Sequence, residues 1–200
     1  MLDPWFIRHI KNPLSAIAEI AKNKNITPNQ ITIMGFLIGI CVIPLLAYQH
    51  YGISLIIILI NRIFDGLDGA LARKTGITDA GGFLDISLDF LFYSAVPFGF
   101  ALAQPEHAIA ATFLIFSFVG TGSSFLAFSS IASKRSIPDP VYKNKSLYYI
   151  TGLTEGAETI ICFVLFCLFP SYFPILASVF AILCFITTLT RIYNGFQLLK

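Results

Sequence analysis

The sequence predicts an all-α fold, a polytopic membrane bundle of six transmembrane helices preceded by an amphipathic helix in the membrane interface. Three observations predict it. The 200 residues are 56% hydrophobic and only 12% charged, with a mean hydropathy of +0.78. A soluble globule carries about 25% charged residues, so this chain has half the charge needed to cover a wetted surface. Long stretches carry no charge at all: no Lys, Arg, Asp or Glu stands between Lys24 and Arg62. Finally, the basic residues gather on one side of the predicted bundle. Together these exclude a soluble enzyme, a DNA-binding domain and a disordered chain. The net charge of +2 is too small to imply a nucleic-acid partner. The length predicts one integral-membrane domain over 1–200, with an interfacial segment at 4–24 and the six-span bundle at 29–197.

The elements follow in order. Phe6, Ile10, Leu14, Ile17 and Ala21 recur at helical spacing, with Arg8, Lys11, Ser15, Glu19 and Lys22 between them. Such a stripe suits a helix lying in the interface plane. Pro13 argues against one uninterrupted helix there. Thr27-Pro28 reads as an N-cap followed by proline at the first helical position. A spanning helix needs about 20 mostly apolar residues, which places spans at 29–48, 53–73, 83–103, 108–133, 147–169 and 175–196. Gln49-His50-Tyr51-Gly52 breaks the first pair, and a polar loop from Lys134 to Lys145 carries Pro138 and Pro140. The four cysteines lie in apolar runs without ligand spacing and read as small core hydrophobes. The start, Met1-Leu2-Asp3-Pro4-Trp5, lacks the basic region of a secretory signal.

With six spans, eleven of the thirteen Lys and Arg residues fall at the termini, the 74–82 loop and the 134–146 loop. The opposite turns hold none, and Arg62 and Arg191 lie within spans. The positive-inside rule then places both termini in the cytoplasm.

An aspartate at the middle of a bilayer helix costs roughly 2.5–3.5 kcal/mol on insertion scales. Yet Asp65, Asp68, Asp85 and Asp89 crowd the facing ends of the second and third spans. Asp65 and Asp68 share one helix face and Asp85 and Asp89 share another. The short connection makes the two helices antiparallel neighbours, so four carboxylates converge below the cytoplasmic interface. Clustered hard oxygens suit Mg²⁺ or Mn²⁺, and two such ions would balance four carboxylates. A pair of ions is a recurrent device for displacement at phosphorus. Gly66, Gly69, Gly81 and Gly82 leave room beside the acids for a bulky anionic group. Two other readings stay open at the level of the residues. The aspartates pair with Arg62, Arg73 and Lys74 near lipid headgroups, or they couple H⁺ or Na⁺ in a transporter.

The segment Asp65-Gly66-Leu67-Asp68-Gly69-Ala70-Leu71-Ala72-Arg73, then Gly81-Gly82-Phe83-Leu84-Asp85-Ile86-Ser87-Leu88-Asp89, resembles the signature of the CDP-alcohol phosphotransferases, bacterial branch. That signature is D-x-x-D-G-x-x-A-R, a spacer, then G-x-x-x-D-x-x-x-D. All eight of its defining positions match, and the spacer is seven residues where eight is common. The family's Pro-Asn at the start of span one stands here as Pro28-Asn29.

The resemblance implies metal-dependent transfer from a CDP-alcohol to a hydroxyl, with release of CMP, in phospholipid biosynthesis. It implies that Asp65, Asp68 and Asp85 hold two divalent cations, and that Asp89 is the general base and shares a metal. It implies that Gly69 and Arg73 cradle the diphosphate, with Asn29 and Thr32 as contacts to the cytidine. CDP-diacylglycerol is the expected donor, the alternative being transfer from a CDP-amino alcohol to diacylglycerol. The acceptor is expected to be a small alcohol. Also implied are a homodimer, membrane lipids as partners, and residence in a bacterial inner membrane with the active site cytoplasmic.

Glu155 and Glu158 are expected to select the acceptor. They lie three apart, roughly 12–17 Å in from residue 147 if the span starts there. An ion pair with Arg191 or Arg62 is the plainer reading. Lys134 and Arg135 compete as acceptor-phosphate ligands, and a solvated basic loop explains them equally well. Gly35-x-x-x-Gly39 suits close helix packing.

Overall fold

A computed structural model describes residues 3–135 and 152–200, with side chains from residue 13 onward. Among the described residues all regular structure is helical. The helices are α1 (Asp3–Asn23), α2 (Pro28–Ile40), α3 (Val42–Ala47), α4 (Tyr51–Thr75), α5 (Asp79–Ala103), α6 (Ala108–Lys134), α7 (Gly156–Leu168) and α8 (Phe173–Leu199). Single 3₁₀ turns at Pro105–His107 and Pro170–Tyr172 lead into α6 and α8.

The start of α2 is built as its sequence requires. The Thr27 hydroxyl accepts from the Gln30 N–H at 3.3 Å, and the Gln30 side chain accepts from the Thr27 N–H at 2.9 Å. This reciprocal box satisfies two donors that a helix start leaves orphaned. The helix breaks at Cys41 because Pro44 has no N–H to give the carbonyl of Ile40. The expected break at 49–52 is present, with Gln49 at φ 59. Contrary to the expectation from Pro13, α1 runs through that proline. A proline removes one ladder bond and leaves the turns on either side able to form.

Among the described residues, four segments are long and apolar enough to cross a membrane: Pro28–Ala47, Asp79–Ala103, Pro105–Lys134 and Pro170–Leu199. The two other predicted spans do not meet that measure. Helix α4 has the length, 25 residues, but Arg62, Asp65, Asp68, Arg73 and Lys74 crowd its second half. Helix α7 has 13 residues and starts at Gly156. The predicted start of that span at 147, like most of the 134–146 loop, lies outside the described residues.

The outer surface is apolar, as lipid requires: Leu37, Phe116, Ile175 and Leu189 are all exposed. This is an integral membrane protein. Cys41 also sits on that surface, not in the core where it was expected, while Cys167 and Cys184 are buried. The main core joins Phe92, Phe100, Phe118, Phe163, Phe166, Phe173 and Phe180 across α5 to α8. A smaller core packs Ala18 and Ala21 of α1 against Ile31, Ala70 and Leu71.

The Gly35 and Gly39 pair serves packing within the chain. A Cβ at Gly35 would lie 2.6 Å from Cβ of Phe64, and one at Gly39 would lie 2.6 Å from Nδ2 of Asn61. Both glycines therefore let α4 approach α2.

Candidate active site

Helices α4 and α5 are joined by only Gly76, Ile77 and Thr78. Gly76 takes φ 115, a conformation that favours glycine. The Thr78 hydroxyl caps α5 by accepting from the Gly81 N–H at 3.1 Å. This tight hairpin holds the two acidic pairs face to face. Asp65, Asp68 and Asp85 each place a carboxylate oxygen within 4.8 Å of the others. Asp68 is only 5% exposed. Its Oδ2 accepts from the Thr32 hydroxyl at 2.6 Å, and that hydroxyl also reaches the Pro28 carbonyl at 3.1 Å. Thr32, expected at the cytidine, thus orients an acid of the cluster.

Asp89 is placed differently. Its carboxylate accepts from Arg62 at 2.7 Å and 3.5 Å. The same guanidinium lies 3.6 Å from Asp65. Of the ion pairs considered from sequence, Arg62 makes those with Asp65 and Asp89. Lys74 instead meets Glu19 of α1 at 2.6 Å and holds that exposed carboxyl below its usual range.

The carboxylates line a cavity of about 1090 Å³. Asn29, Thr32, Gly69, Arg73, Gly81, Gly82 and Asp89 share its wall. Gly66 does not: Leu14 of α1 sits where its Cβ would be, at 2.9 Å. That glycine admits α1, not a ligand. Lys22 and Arg191, which sequence reasoning left out of the site, also line the cavity. Arg191 is only 7% exposed, with Nη1 donating to the Thr121 carbonyl at 3.2 Å and its guanidinium 5.7 Å from the Phe125 ring. Its position on a buried face of α8 becomes visible only once α6 packs against it.

Glu155 lines the cavity and Glu158 does not. Both cap α7: the Glu158 carboxylate accepts from the Glu155 N–H at 3.1 Å, and Glu155 accepts from the Gly152 N–H at 3.1 Å. They stand at a helix start, so the depth reckoned from residue 147 does not apply. Lys134 and Arg135 are exposed at the end of α6 and off the cavity wall, and Arg135 donates to the Leu199 carbonyl.

The donor set fits divalent cations. Arg62 pairs with Asp65 and Asp89, while Asp65, Asp68 and Asp85 converge on one point, and that concentration of negative charge calls for a compact cation. Oxygens bound to one Mg²⁺ lie at about 2.1 Å from it, hence up to about 4.2 Å apart. The oxygens of Asp65, Asp68 and Asp85, within 4.8 Å of one another, stand close to that spacing.

The family model for CDP-alcohol phosphatidyltransferases matches residues 25–192. The chain belongs to the CDP-alcohol phosphatidyltransferase family. Its members are transferases of phospholipid synthesis that use divalent metals. The inner membrane protein YnjF of Escherichia coli is 53% identical over 100% of this chain and 98% of its own length. The archaetidylinositol phosphate synthase of Pyrococcus horikoshii is 33% identical over 93% of this chain and 92% of its own. The crystal structure of Mycobacterium tuberculosis phosphatidylinositol phosphate synthase with CDP-DAG bound superposes with a TM-score of 0.74 at 20% identity, covering 91% of this chain and 92% of that one. A second structure of that enzyme, in complex with manganese and citrate, gives 0.72 at 20% identity over 92% and 88%. At that identity the likeness is one of fold.

Proposed function

We propose that this transferase moves a phosphatidyl group from CDP-diacylglycerol to the hydroxyl of a small phosphorylated polyol, releasing CMP. The observation that carries the reading is the group of Asp65, Asp68 and Asp85, within 4.8 Å of one another on the wall of a large cavity that Asp89 and Arg191 also line. In this reading those three aspartates hold two divalent ions. The ions neutralise a diphosphate and stabilise the charge on departing CMP. Asp89 accepts the proton of the attacking hydroxyl. A bond forms from the acceptor oxygen to the β-phosphorus, and the bond from that phosphorus to the bridging oxygen breaks, leaving with CMP.

Gly69 leaves the backbone open beside Asp68, and Arg73 offers a cation to the diphosphate. Asn29 and Lys22 stand on the same wall for the nucleotide. Ile77, Ile86, Phe90, Ile160 and Ile161 give the cavity the apolar lining that a diacyl donor needs. The phosphorylated acceptor is supported by the buried cation of Arg191, with Thr154 and Glu155 beside it on the wall. The name of the Pyrococcus relative supports the same class. We further propose that α4 and α7 complete six spans, that both termini and the site face the cytoplasm, and that the protein works as a homodimer. The eleven-to-zero distribution of basic residues supports the orientation.

The test is a purified-protein assay with labelled CDP-diacylglycerol, Mg²⁺ or Mn²⁺, and inositol phosphate, glycerol phosphate, inositol and serine as acceptors. The expected result is EDTA-sensitive CMP and lipid product with a phosphorylated polyol. No CMP with any acceptor, together with H⁺- or Na⁺-coupled uptake into vesicles, would overturn it.

A further inference from the structure

Arg62 is a cation lodged beside a site that fits cations, and its position is fixed by α5 directly and by α2 through Asn61. Its Nη2 donates to Asp89 Oδ1 at 2.7 Å and its Nη1 to the Tyr93 hydroxyl at 3.2 Å. The guanidinium carbon lies 4.9 Å from the centre of the Phe92 ring and 5.3 Å from that of Tyr93. From behind, Nε donates to Asn61 Oδ1 at 2.9 Å. Asn61 is itself 4% exposed and donates to the Gly35 carbonyl of α2 at 2.9 Å. Gly39 is the residue that admits this amide, since a Cβ there would meet it at 2.6 Å. A relay therefore runs from the α2 backbone through Asn61 and Arg62 to Asp89 on α5.

We propose that Arg62 is a positioning residue that clamps the Asp89 carboxylate at the edge of the cluster. Asp65, Asp68 and Asp85 are then left to the metal, and Asp89 is kept for the acceptor hydroxyl. This rests on the transfer reaction proposed above. A planar fork suits the task, because two parallel N–H donors fix a carboxylate's orientation as a point charge does not. The clamp also has a cost that marks it. A guanidinium 3.6 Å from Asp65 opposes any divalent ion bound there. Its loss should therefore tighten metal binding while it weakens catalysis, a pair of opposite effects that a merely structural arginine does not produce.

The experiment is Arg62→Gln and Arg62→Lys, with direct Mn²⁺ binding followed by electron paramagnetic resonance on purified protein without substrate, and steady-state kinetics alongside. Arg62→Gln should bind Mn²⁺ at least about threefold more tightly, since a like charge has been removed from the site. Its kcat should fall on the order of 10²-fold, as for a reacting group misplaced by about 1 Å. The donor KM should stay within about twofold, because ground-state binding is untouched. Arg62→Lys retains the charge without the fork, so Mn²⁺ affinity should stay near that of the unmodified protein while kcat recovers only in part. Unchanged or weaker Mn²⁺ binding, or unchanged kcat, in folded Arg62→Gln overturns the clamp. If that variant does not fold, Arg62→Lys decides alone: reduced kcat at unchanged Mn²⁺ affinity supports the clamp, and full kcat overturns it. Should the unmodified protein release no CMP, the transfer reading fails and the Mn²⁺ measurement still judges the clamp.

Discussion

At the end of the bundle that holds Tyr51, Phe100, His107 and Phe173, ring packs on ring; at the end that holds Asp65, Asp68, Asp85 and Asp89, carboxylate faces carboxylate. The Phe100 and Phe173 rings stack with centroids 4.3 Å apart, and Phe166 stands edge-on to both at 6.0 Å and 5.0 Å. His107, 2% exposed, lies 5.1 Å from Phe173. Four helices and a turn are thereby joined with little space left. At the acidic end the same α4 and α5 are bridged by Arg62 and Asp89 and open onto about 1090 Å³. The charges at that end are held locally, by Arg62 on Asp89 and by the Thr32 hydroxyl on Asp68. Stability and chemistry are drawn from opposite ends of one helix pair.

Substitutions at the two ends should separate these roles. The largest effect on turnover is expected at Asp89. Asp89→Asn keeps the size but removes the proton acceptor, and should lower kcat per folded molecule by roughly 10²–10⁴. Turnover near that of the unmodified protein, in folded material, would remove Asp89 from the chemistry. Phe100→Ala should do the reverse, destabilising by about 3–5 kcal/mol through the cavity it leaves. Kinetic constants per folded molecule should stay the same. A change in KM at unchanged melting temperature would show that the two ends are not separable. The smallest of the three is Thr32→Val, which deletes the hydroxyl that orients Asp68. Loss of such an outer hydrogen bond typically costs 10–100-fold in metal affinity or activity. Mn²⁺ titration of activity should shift accordingly, and an unshifted titration would leave Thr32 to the nucleotide.

The contrast also explains what the sequence made legible. Helix periods, the Thr27 cap and the 49–52 break are local, and local chemistry decides them. The acidic quartet was legible because two spacings of three and four residues, linked by a short turn, leave the carboxylates little choice but to converge. Arg62 was not, since a basic residue three positions before Asp65 reads as a helix-end counter-ion until α5 shows which acid it holds. Gly66 was misread for a similar reason. A gap beside the acids looks like room for a ligand, and only the docking of α1 reveals that Leu14 fills it. The depth of the two glutamates was not legible, because it depends on a helix boundary: α7 begins at Gly156 and uses both carboxylates as caps, while Glu155 also reaches the cavity wall.

The three-residue link between α4 and α5 bears on how the protein is made. Asp65 and Asp89 are separated by fewer residues than a typical helical hairpin contains. All four acids, with Arg62 and Asn61, have therefore entered the chain before α6 begins at Ala108. Contacts between near neighbours in sequence cost little loop-closure entropy and form early. The aromatic end behaves otherwise, because Phe173 must return from α8 to meet Phe100. The acidic cluster is thus local in sequence, whereas the rest of the cavity wall waits for Thr154, Glu155 and Arg191 far along the chain.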